Sequence, residues 1–297
     1  MGKMLAGIKI ALLGGDAREI ILMQELVRLG AEVRVAGYPP LPELKDCLLF
    51  KEASNAVRQV DVLILPVPGA DERGVIKGTL TGHTFRLNES WVDEVPPGTL
   101  VLVGVARPVL KKVAREKGWK LEETADRDEM AILNSVPTAE GAIMMALQEM
   151  PVTLHGSEAF VLGLGRTGLT LAHMLAGIGA RVTVVDRGAA DRARALALGW
   201  RAISFEELPT AIGWAQVVFN TVPAPVLTEE VLAAASPQCL IIDLASAPGG
   251  TDFAAAQKLG KRAVMAPGLP GKVAPQTAGE ILARLYPRFI LEGLERL

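Results

Sequence analysis

Histidine and cysteine are scarce: the 297 residues hold three histidines and two cysteines. His83, His155 and His173 stand far apart, and none falls in HExxH or another metal-binding pattern, so no metal centre is expected. Cys47 and Cys239 make neither a redox pair nor a ligand spacing, which leaves them as structural thiols of a reducing compartment. A dominant charge is missing too. Lys+Arg 31 against Asp+Glu 33 give a net charge of −2, and there is no basic block or aromatic-basic stripe, which argues against nucleic acid as a partner. No apolar stretch reads as long enough to span a membrane. The opening apolar run is interrupted by Lys9 and ends in Gly14-Gly15-Asp16 rather than a small-residue cleavage site. Ala6 stands where a myristoylation signal needs Ser or Thr. A cytosolic protein is expected.

What the chain does have is aliphatic bulk. Hydrophobic residues make up 50% while aromatics supply only 4%, a composition suited to parallel sheets buried on both faces. The length of 297 residues suits two domains. Residues 8–13, 19–29 and 32–36 read as strand, amphipathic helix and strand, with Gly30 ending the helix. Further buried strands are expected over 62–65 and 100–105, and a helix over 110–117 closed by Gly118. The first domain, residues 1–136, therefore reads as a parallel α/β sheet on the substrate side. A Met-rich helix is expected from Thr138 to Glu149, after Pro137, and bridges the domains within residues 137–151. Its methionines line a ligand site or, the favoured reading, fill the core. Residues 152–276 read as a second α/β domain, with strands at 158–162, 181–185, 217–220, 240–244 and 263–265 and a helix at 166–178. A final helix over 277–297, with a break expected at Pro287, returns to the first domain or makes a subunit contact. The fold class expected is two parallel-sheet α/β domains, the C-terminal one a Rossmann dinucleotide-binding domain, with an inter-domain cleft.

Gly163-Leu164-Gly165-Arg166-Thr167-Gly168 matches GxGxxG. Alone the pattern is weak. Here it follows a strand, opens a helix and leads to a second strand ending in Asp186, the context in which such glycines cradle a pyrophosphate. Gly163 permits the tight turn, Gly165 lets the ligand approach the backbone, and Gly168 allows close helix–strand packing. The helix N-terminus favours the phosphate charge. The first domain repeats the spacing: Gly163 to Asp186 and Gly14 to Gly37 both span 23 positions. The overlay puts Asp16 at Gly165, Glu19 at Gly168 and Gly37 at Asp186, so the first domain keeps the layout without the dinucleotide site. Its turn faces the crevice at the strand ends, where Arg18 either pairs with a substrate carboxylate or is a surface arginine. Asp186 suits the 2′-hydroxyl of NAD and Arg187 the 2′-phosphate of NADP; the local sequence slightly favours NAD.

Three more segments follow strands toward the same crevice: Asn220-Thr221-Val222-Pro223, residues 243–250 with Leu244, Ala245 and Ser246, and residues 266–275 with Pro267, Gly268 and Leu269. The last is dense in Pro and Gly, a side-chain-poor loop that suits close approach to a nicotinamide ring. Lys272, its one cation, binds a carboxylate or faces water.

Gly14-Gly15-Asp16-Ala17-Arg18, Asn134-Ser135-Val136-Pro137-Thr138-Ala139-Glu140-Gly141, His155-Gly156-Ser157, the glycine loop with Arg166-Thr167, and residues 243–252 and 266–275 together resemble the dipicolinate synthase A-subunit family, in order over nearly the whole chain. The resemblance implies synthesis of dipicolinate (pyridine-2,6-dicarboxylate) in the mother cell during endospore formation, on a branch of the lysine pathway. It implies an NADP-linked oxidation of dihydrodipicolinate or its hydrated precursor, and the flavoprotein-like B subunit of dipicolinate synthase as partner. NADP is therefore the cofactor expected, with NAD the alternative that Asp186 leaves open. A homo-oligomer is also expected. On this reading the substrate carboxylates meet Asp16 and Arg18 of the first turn, Lys272, and the hydroxyls of Ser135, Thr138 and Ser246. Glu140 or Asp243 is the base, unless Glu140 only complements its helix dipole. Two other readings stay open. One is a generic two-domain dehydrogenase of another small carboxylate, although no histidine follows His173 to make the His–carboxylate pair usual in 2-hydroxy-acid enzymes. The other is a non-catalytic dinucleotide-binding subunit that supports a flavoprotein partner.

Overall fold

The computed structural model describes residues 3–246 and 249–295. Ala247 and Pro248, in the segment after the fifth strand of the second domain, lie outside them. The chain divides into two compact units, Met1–Ala131 with Ala274–Leu297, and Ile132–Val273.

The first unit contains β1 (Lys9–Leu13), α1 (Ala17–Arg28), β2 (Glu32–Ala36), β3 (Leu48–Phe50), α2 (Ala53–Ala56), β4 (Val62–Ile64), β5 (Val75–Gly78), β6 (His83–Arg86), α3 (Trp91–Glu94), β7 (Leu100–Val103), α4 (Pro108–Lys117) and β8 (Lys120–Glu123). Six strands form a parallel sheet in the order β3-β2-β1-β4-β7-β8. β5 and β6 make a separate antiparallel hairpin inserted between β4 and β7. The central strands β1, β4 and β7 are apolar runs without strict alternation because both faces are covered, and β4 and β7 are buried at every position.

α5 (Asp128–Glu149) follows, and the division between the units falls within it. It starts ten positions before the expected Thr138 and continues through Pro137. By length and composition it is apolar enough to cross a membrane, contrary to the reading of the sequence. Ala139, Ala142, Ile143 and Ala146 nevertheless belong to the core of the second unit. Met145 packs against that core, while Met144 is exposed.

The second unit continues with β9 (Glu158–Leu162), α6 (Arg166–Ile178), β10 (Arg181–Val185), α7 (Ala189–Ala197), β11 (Arg201–Ile203), α8 (Leu208–Ala211), β12 (Val217–Asn220), α9 (Glu229–Ala234), β13 (Leu240–Asp243), α10 (Phe253–Lys258), β14 (Arg262–Met265) and α11 (Leu269–Val273). Its sheet runs β11-β10-β9-β12-β13-β14, the Rossmann order. Along β9 the side chains alternate between two cores. Ala159 and Val161 face α5 and α6, while Phe160 and Leu162 face the layer of α8, α9 and α10.

α12 (Pro275–Glu295) belongs to the first unit and packs along α1. The approach is close at Gly279, where a Cβ would lie 2.6 Å from Ile21 Cδ1 and 2.9 Å from the Arg18 carbonyl. The helix is continuous through Pro287, so the expected break does not occur. A proline there removes one backbone bond, but Leu285, Tyr286, Phe289 and Ile290 are buried around it. Burying side chains of that size contributes about 1.5–3 kcal/mol each, enough to hold the turn in place. The Tyr286 hydroxyl also meets Thr124 Oγ1 at 3.0 Å, and Arg127 lies over the Phe289 ring while pairing with Glu292.

Candidate functional site

The register of the second sheet sets up its carboxyl edge. Leu162 pairs with Val185 and with Asn220, Asn220 with Asp243, and Asp243 with Met265. Gly163, Asp186, Thr221, Leu244 and Ala266 are therefore the first residues past one row. The order reverses at β9, whose neighbours are β10 and β12, and ligands of open α/β sheets bind outside such a point.

The three glycines of the loop after β9 do different work. Gly163 has φ +86°, and a Cβ on it would meet Thr221 Oγ1 and Val222 Cγ2 at 2.8 Å. A Cβ on Gly168 would lie 1.9 Å from the Gly163 carbonyl oxygen, so this glycine sets how closely α6 approaches the loop. Gly165, the N-cap of α6, has φ −75°, and a Cβ there meets nothing within 4 Å. Neither backbone strain nor packing requires glycine at 165, and the space beside it is open. Among the described residues no side chain caps α6, and the N-terminal end of a helix favours a phosphate. The cradle fits a dinucleotide pyrophosphate. The Leu164 side chain is buried in the core and its amide donates to Asp186, so Leu164 braces the loop.

At the end of β10 the Asp186 carboxylate is held by two amides, Leu164 N at 2.8 Å and Gly188 N at 2.7 Å. Arg192 Nη1 donates to the carbonyls of Asp186 and Arg187 at 2.7 and 2.8 Å, which fixes this loop. The Arg187 side chain is exposed.

Past β12 and β13, Asn220 and Asp243 form a buried polar pair, each 0% exposed. Asn220 Nδ2 donates to Asp243 Oδ1 at 3.0 Å and to the Val222 carbonyl at 3.1 Å, and its Oδ1 accepts from Val222 N at 3.0 Å. Asp243 also accepts from Ala245 N at 2.9 Å and Gly250 N at 3.0 Å. Four of the expected cofactor contacts, Thr221, Val222, Leu244 and Ala245, sit on the two loops that this pair ties down, and Pro223 is exposed beside them. The Thr221 hydroxyl is turned back onto the Leu162 carbonyl at 2.8 Å.

Several expected roles are corrected by these contacts. Asp243 is enclosed and already accepts from three donors, so it braces loops and is not a general base. Glu140 is exposed and borders a surface groove with Met144, Leu147, Met174 and Ile178 on α5 and α6. Ser135, 1% exposed, donates to the Ile132 carbonyl at 2.6 Å and meets Thr170 Oγ1 at 2.6 Å, joining α5 to α6. Thr138 donates to the Asn134 carbonyl within its helix at 2.7 Å. Residues 269–273 form a helical turn rather than a loop. The Leu269 side chain is buried where a Cβ on Gly141 of α5 would lie 3.0 Å from its own Cβ, so it anchors that turn to the core. Pro267, Gly268, Ser246 and Lys272 remain exposed.

The corresponding turn of the first unit is filled. Gly15 N donates to the Lys77 carbonyl at 2.9 Å, and Thr79 N and Oγ1 donate to the Gly15 carbonyl at 2.8 and 3.0 Å. The β5–β6 hairpin thus lies where a pyrophosphate would sit. Phe85 of β6 covers Gly37, where a Cβ would lie 2.8 Å from its ring. Asp16 caps α1 and Glu19 completes the capping box, its Oε2 accepting from Asp16 N at 2.8 Å. Arg18 Nε and Nη2 donate to Asp16 Oδ1 and Oδ2 at 2.9 and 2.8 Å, and Arg18 is 8% exposed. The guanidinium expected to meet substrate is closed on Asp16, and the Asp16 carboxylate on Arg18. Burial works against the ionised Asp16, but the hydrogen bonds and charge of Arg18 outweigh it and hold the carboxyl below its ordinary range. Among the described residues no cation is bonded to Glu19; burial, then the Asp16 charge, push its carboxyl up to about 7.

Sequence reasoning missed the residues around the mouth of this turn. Lys77 of β5 and Arg107 at the start of α4 line a pocket with Gly15, Asp16, Gly69 and Asp71. Only Ile76 and Gly78 are buried in β5 and only Phe85 in β6, so the hairpin carried little hydrophobic signal by which to find them.

Comparison with known proteins agrees with this two-part layout. A family model for the N-terminal domain of the dipicolinate synthase A subunit matches residues 9–125. A model for the NAD binding domain of D-isomer specific 2-hydroxyacid dehydrogenases matches residues 136–248. The dipicolinate synthase A subunit of Bacillus subtilis (strain 168) is 38% identical over 97% of this chain and 98% of its own. The crystal structure of the dipicolinate synthase A subunit from Bacillus halodurans superposes with a TM-score of 0.90 at 35% identity, covering 96% of this chain and 98% of that one. A transhydrogenase from Sinorhizobium meliloti shares the fold, with a TM-score of 0.70 at 18% identity over 96% of this chain and 95% of that one. The second unit is thus a nicotinamide-dinucleotide-binding domain of dehydrogenase type, and the chain belongs to the dipicolinate synthase A-subunit family.

Proposed function

We propose that this chain oxidises dihydrodipicolinate, or its hydrated precursor, to dipicolinate with NADP, in the cytoplasm of the mother cell of a sporulating bacterium and on a branch of the lysine pathway. The flavoprotein-like B subunit of dipicolinate synthase is its partner, and the chain itself assembles as a homo-oligomer. The observation that carries the cofactor assignment is Gly165, a glycine demanded by neither strain nor packing at the start of a helix that no described side chain caps. The substrate assignment rests on family membership.

NADP supplies the hydride acceptor. Oxidation removes a hydride and a proton from the dihydropyridine ring, which the hydrated precursor reaches by losing water, and the gain of aromaticity drives the step. The residues of the chain then have mainly to orient and to exclude water. The glycine loop receives the pyrophosphate. The Asn220–Asp243 pair fixes the loops after β12 and β13, and the proton leaves to solvent rather than to Asp243. The choice of NADP is supported by Asp186: both its oxygens are occupied by backbone amides, while Arg187 beside it is exposed. An arginine meets a phosphate with charge-assisted hydrogen bonds.

The test is reduced-nicotinamide absorbance with freshly generated substrate from the enzyme upstream, with NADP or NAD, and with or without the B subunit. Dipicolinate formation by the chain alone supports a self-sufficient dehydrogenase. Turnover only in the presence of the B subunit assigns a shared role. No turnover in either case removes the dipicolinate reading and leaves the dinucleotide site.

A further inference from the structure

A pocket of about 190 Å³ opens at the carboxyl edge of the first unit's sheet. It lies against Gly15 and Asp16 after β1 and Gly69 after β4, the neighbouring strands at which the order reverses. Open α/β sheets take their ligands at this place. In the second unit the equivalent place is open to a pyrophosphate. In the first, the β5–β6 hairpin covers the turn, and the remaining space is well below the roughly 300–1,000 Å³ of pockets for drug-sized ligands.

We infer that this pocket is a carboxylate subsite in which Lys77 and Arg107 hold one carboxyl group of a small dicarboxylate substrate. The identity of that dicarboxylate rests on the function proposed above. Two cations, Lys77 and Arg107, stand on the pocket wall with Asp16 and Asp71. Asp16 is closed on Arg18, and Asp71 Oδ1 accepts the amides of Arg73 and Val75, each at 2.9 Å. The carboxylates of the wall are therefore engaged within the unit. Arg107 is oriented by its neighbours: Nη1 donates to the carbonyls of Pro68 and Ala70 at 2.9 and 2.8 Å, and Nε pairs with Glu72 at 3.1 Å. Nη2 is the donor these contacts leave. Lys77 is exposed, and its charge acts on Asp71 of the same wall. A guanidinium held in place beside a movable ammonium is a suitable donor set for a carboxylate, the first supplying direction and the second a point charge.

The experiment is calorimetric titration of the full-length chain with dipicolinate, pyruvate and 2-oxoglutarate, comparing wild type with Lys77→Met, Lys77→Arg and Arg107→Lys. Thermal unfolding and NADP affinity serve as checks on the fold. The expected result is that Lys77→Met weakens dipicolinate binding by about tenfold or more, that Lys77→Arg restores most of it, and that Arg107→Lys weakens it with the unfolding midpoint little changed. Wild-type affinity for dipicolinate in both Lys77→Met and Arg107→Lys overturns the subsite and leaves the proposed function standing. Binding of another carboxylate, but not dipicolinate, that is lost in Lys77→Met upholds the subsite and removes the proposed substrate. No binding of any of the three probes by the wild-type chain overturns the subsite.

Discussion

Asp186 Oδ2 accepts a 2.8 Å hydrogen bond from the backbone amide of Leu164. The acid at the end of β10 therefore braces the glycine loop, and its second oxygen braces the turn at Gly188. A carboxylate engaged in this way offers less to a ribose 2′-hydroxyl, and the neighbouring Arg187 becomes the group that discriminates between cofactors. Replacing Arg187→Ala should weaken NADP binding by about 1.5–3 kcal/mol, the usual contribution of a charge-assisted hydrogen bond, and leave NAD binding nearly unchanged. Fluorescence titration with the two reduced cofactors measures the ratio; equal weakening of both argues against a 2′-phosphate contact at this residue.

Gly165 and Gly168 should separate binding from stability. Gly165→Ala introduces a methyl group into open space at an N-cap and should cost about 1 kcal/mol or less in unfolding free energy. Its effect should fall on dinucleotide affinity. Gly168→Ala puts a Cβ 1.9 Å from the Gly163 carbonyl oxygen and should cost on the order of 1–3 kcal/mol through forced displacement of α6. Urea unfolding of the two variants without cofactor, set beside their cofactor affinities, makes the comparison. Equal destabilisation by both substitutions would mean that Gly165 is a packing residue after all.

The parts of this fold that could be read from the sequence are those where local signals agree with burial. Residues 158–162, 166–178, 181–185 and 217–220 form elements with the bounds their apolar patterns predict, because each is buried on the face its spacing indicates. The β5–β6 hairpin was not legible, since Lys77, His83, Thr84 and Arg86 are exposed and only a few of its residues touch the core. α5 and α12 run through Pro137 and Pro287 because tertiary burial outweighs a local preference that sequence alone shows as a break. The role of Asp243 was hidden for another reason. A carboxylate after a strand looks the same in sequence whether it faces a substrate or, as here, three donors of its own chain.

The Asp243 contacts lead to a test of the bracing role. Asp243→Asn keeps the shape but turns one acceptor into a donor among the amides of Ala245 and Gly250. It should cost on the order of 1–3 kcal/mol, the penalty for leaving buried groups unpaired. The pH profile of kcat should keep its shape, because a loop brace and not a catalytic base is removed. A stable variant with the basic limb of the profile abolished would instead return Asp243 to catalysis.

Glu19 gives a stability prediction with a definite sign. Its Oε1 is buried without a hydrogen-bond partner, and its carboxyl titrates near 7 in the folded chain against 4.5 for an unburied glutamate. Asp16, Arg18, Tyr38 and Tyr286 are the charged and titratable groups that act on this cluster; the Asp16 charge raises the Glu19 value and Arg18 lowers it. Between these two pH values the folded state holds a proton that the unfolded state has released. Stability therefore falls as pH rises through this window and levels off above 7, by at most about 3 kcal/mol. The opposite trend, from carboxyls held low such as Asp16, belongs to more acidic solutions, below its ordinary range. Glu19→Gln removes the titration and keeps an oxygen able to accept the Asp16 amide. Its stability relative to wild type should accordingly improve on going from pH 5 to pH 8. Urea unfolding at the two pH values measures the difference, and parallel behaviour of the two proteins would show that the folded chain holds Glu19 ionised throughout.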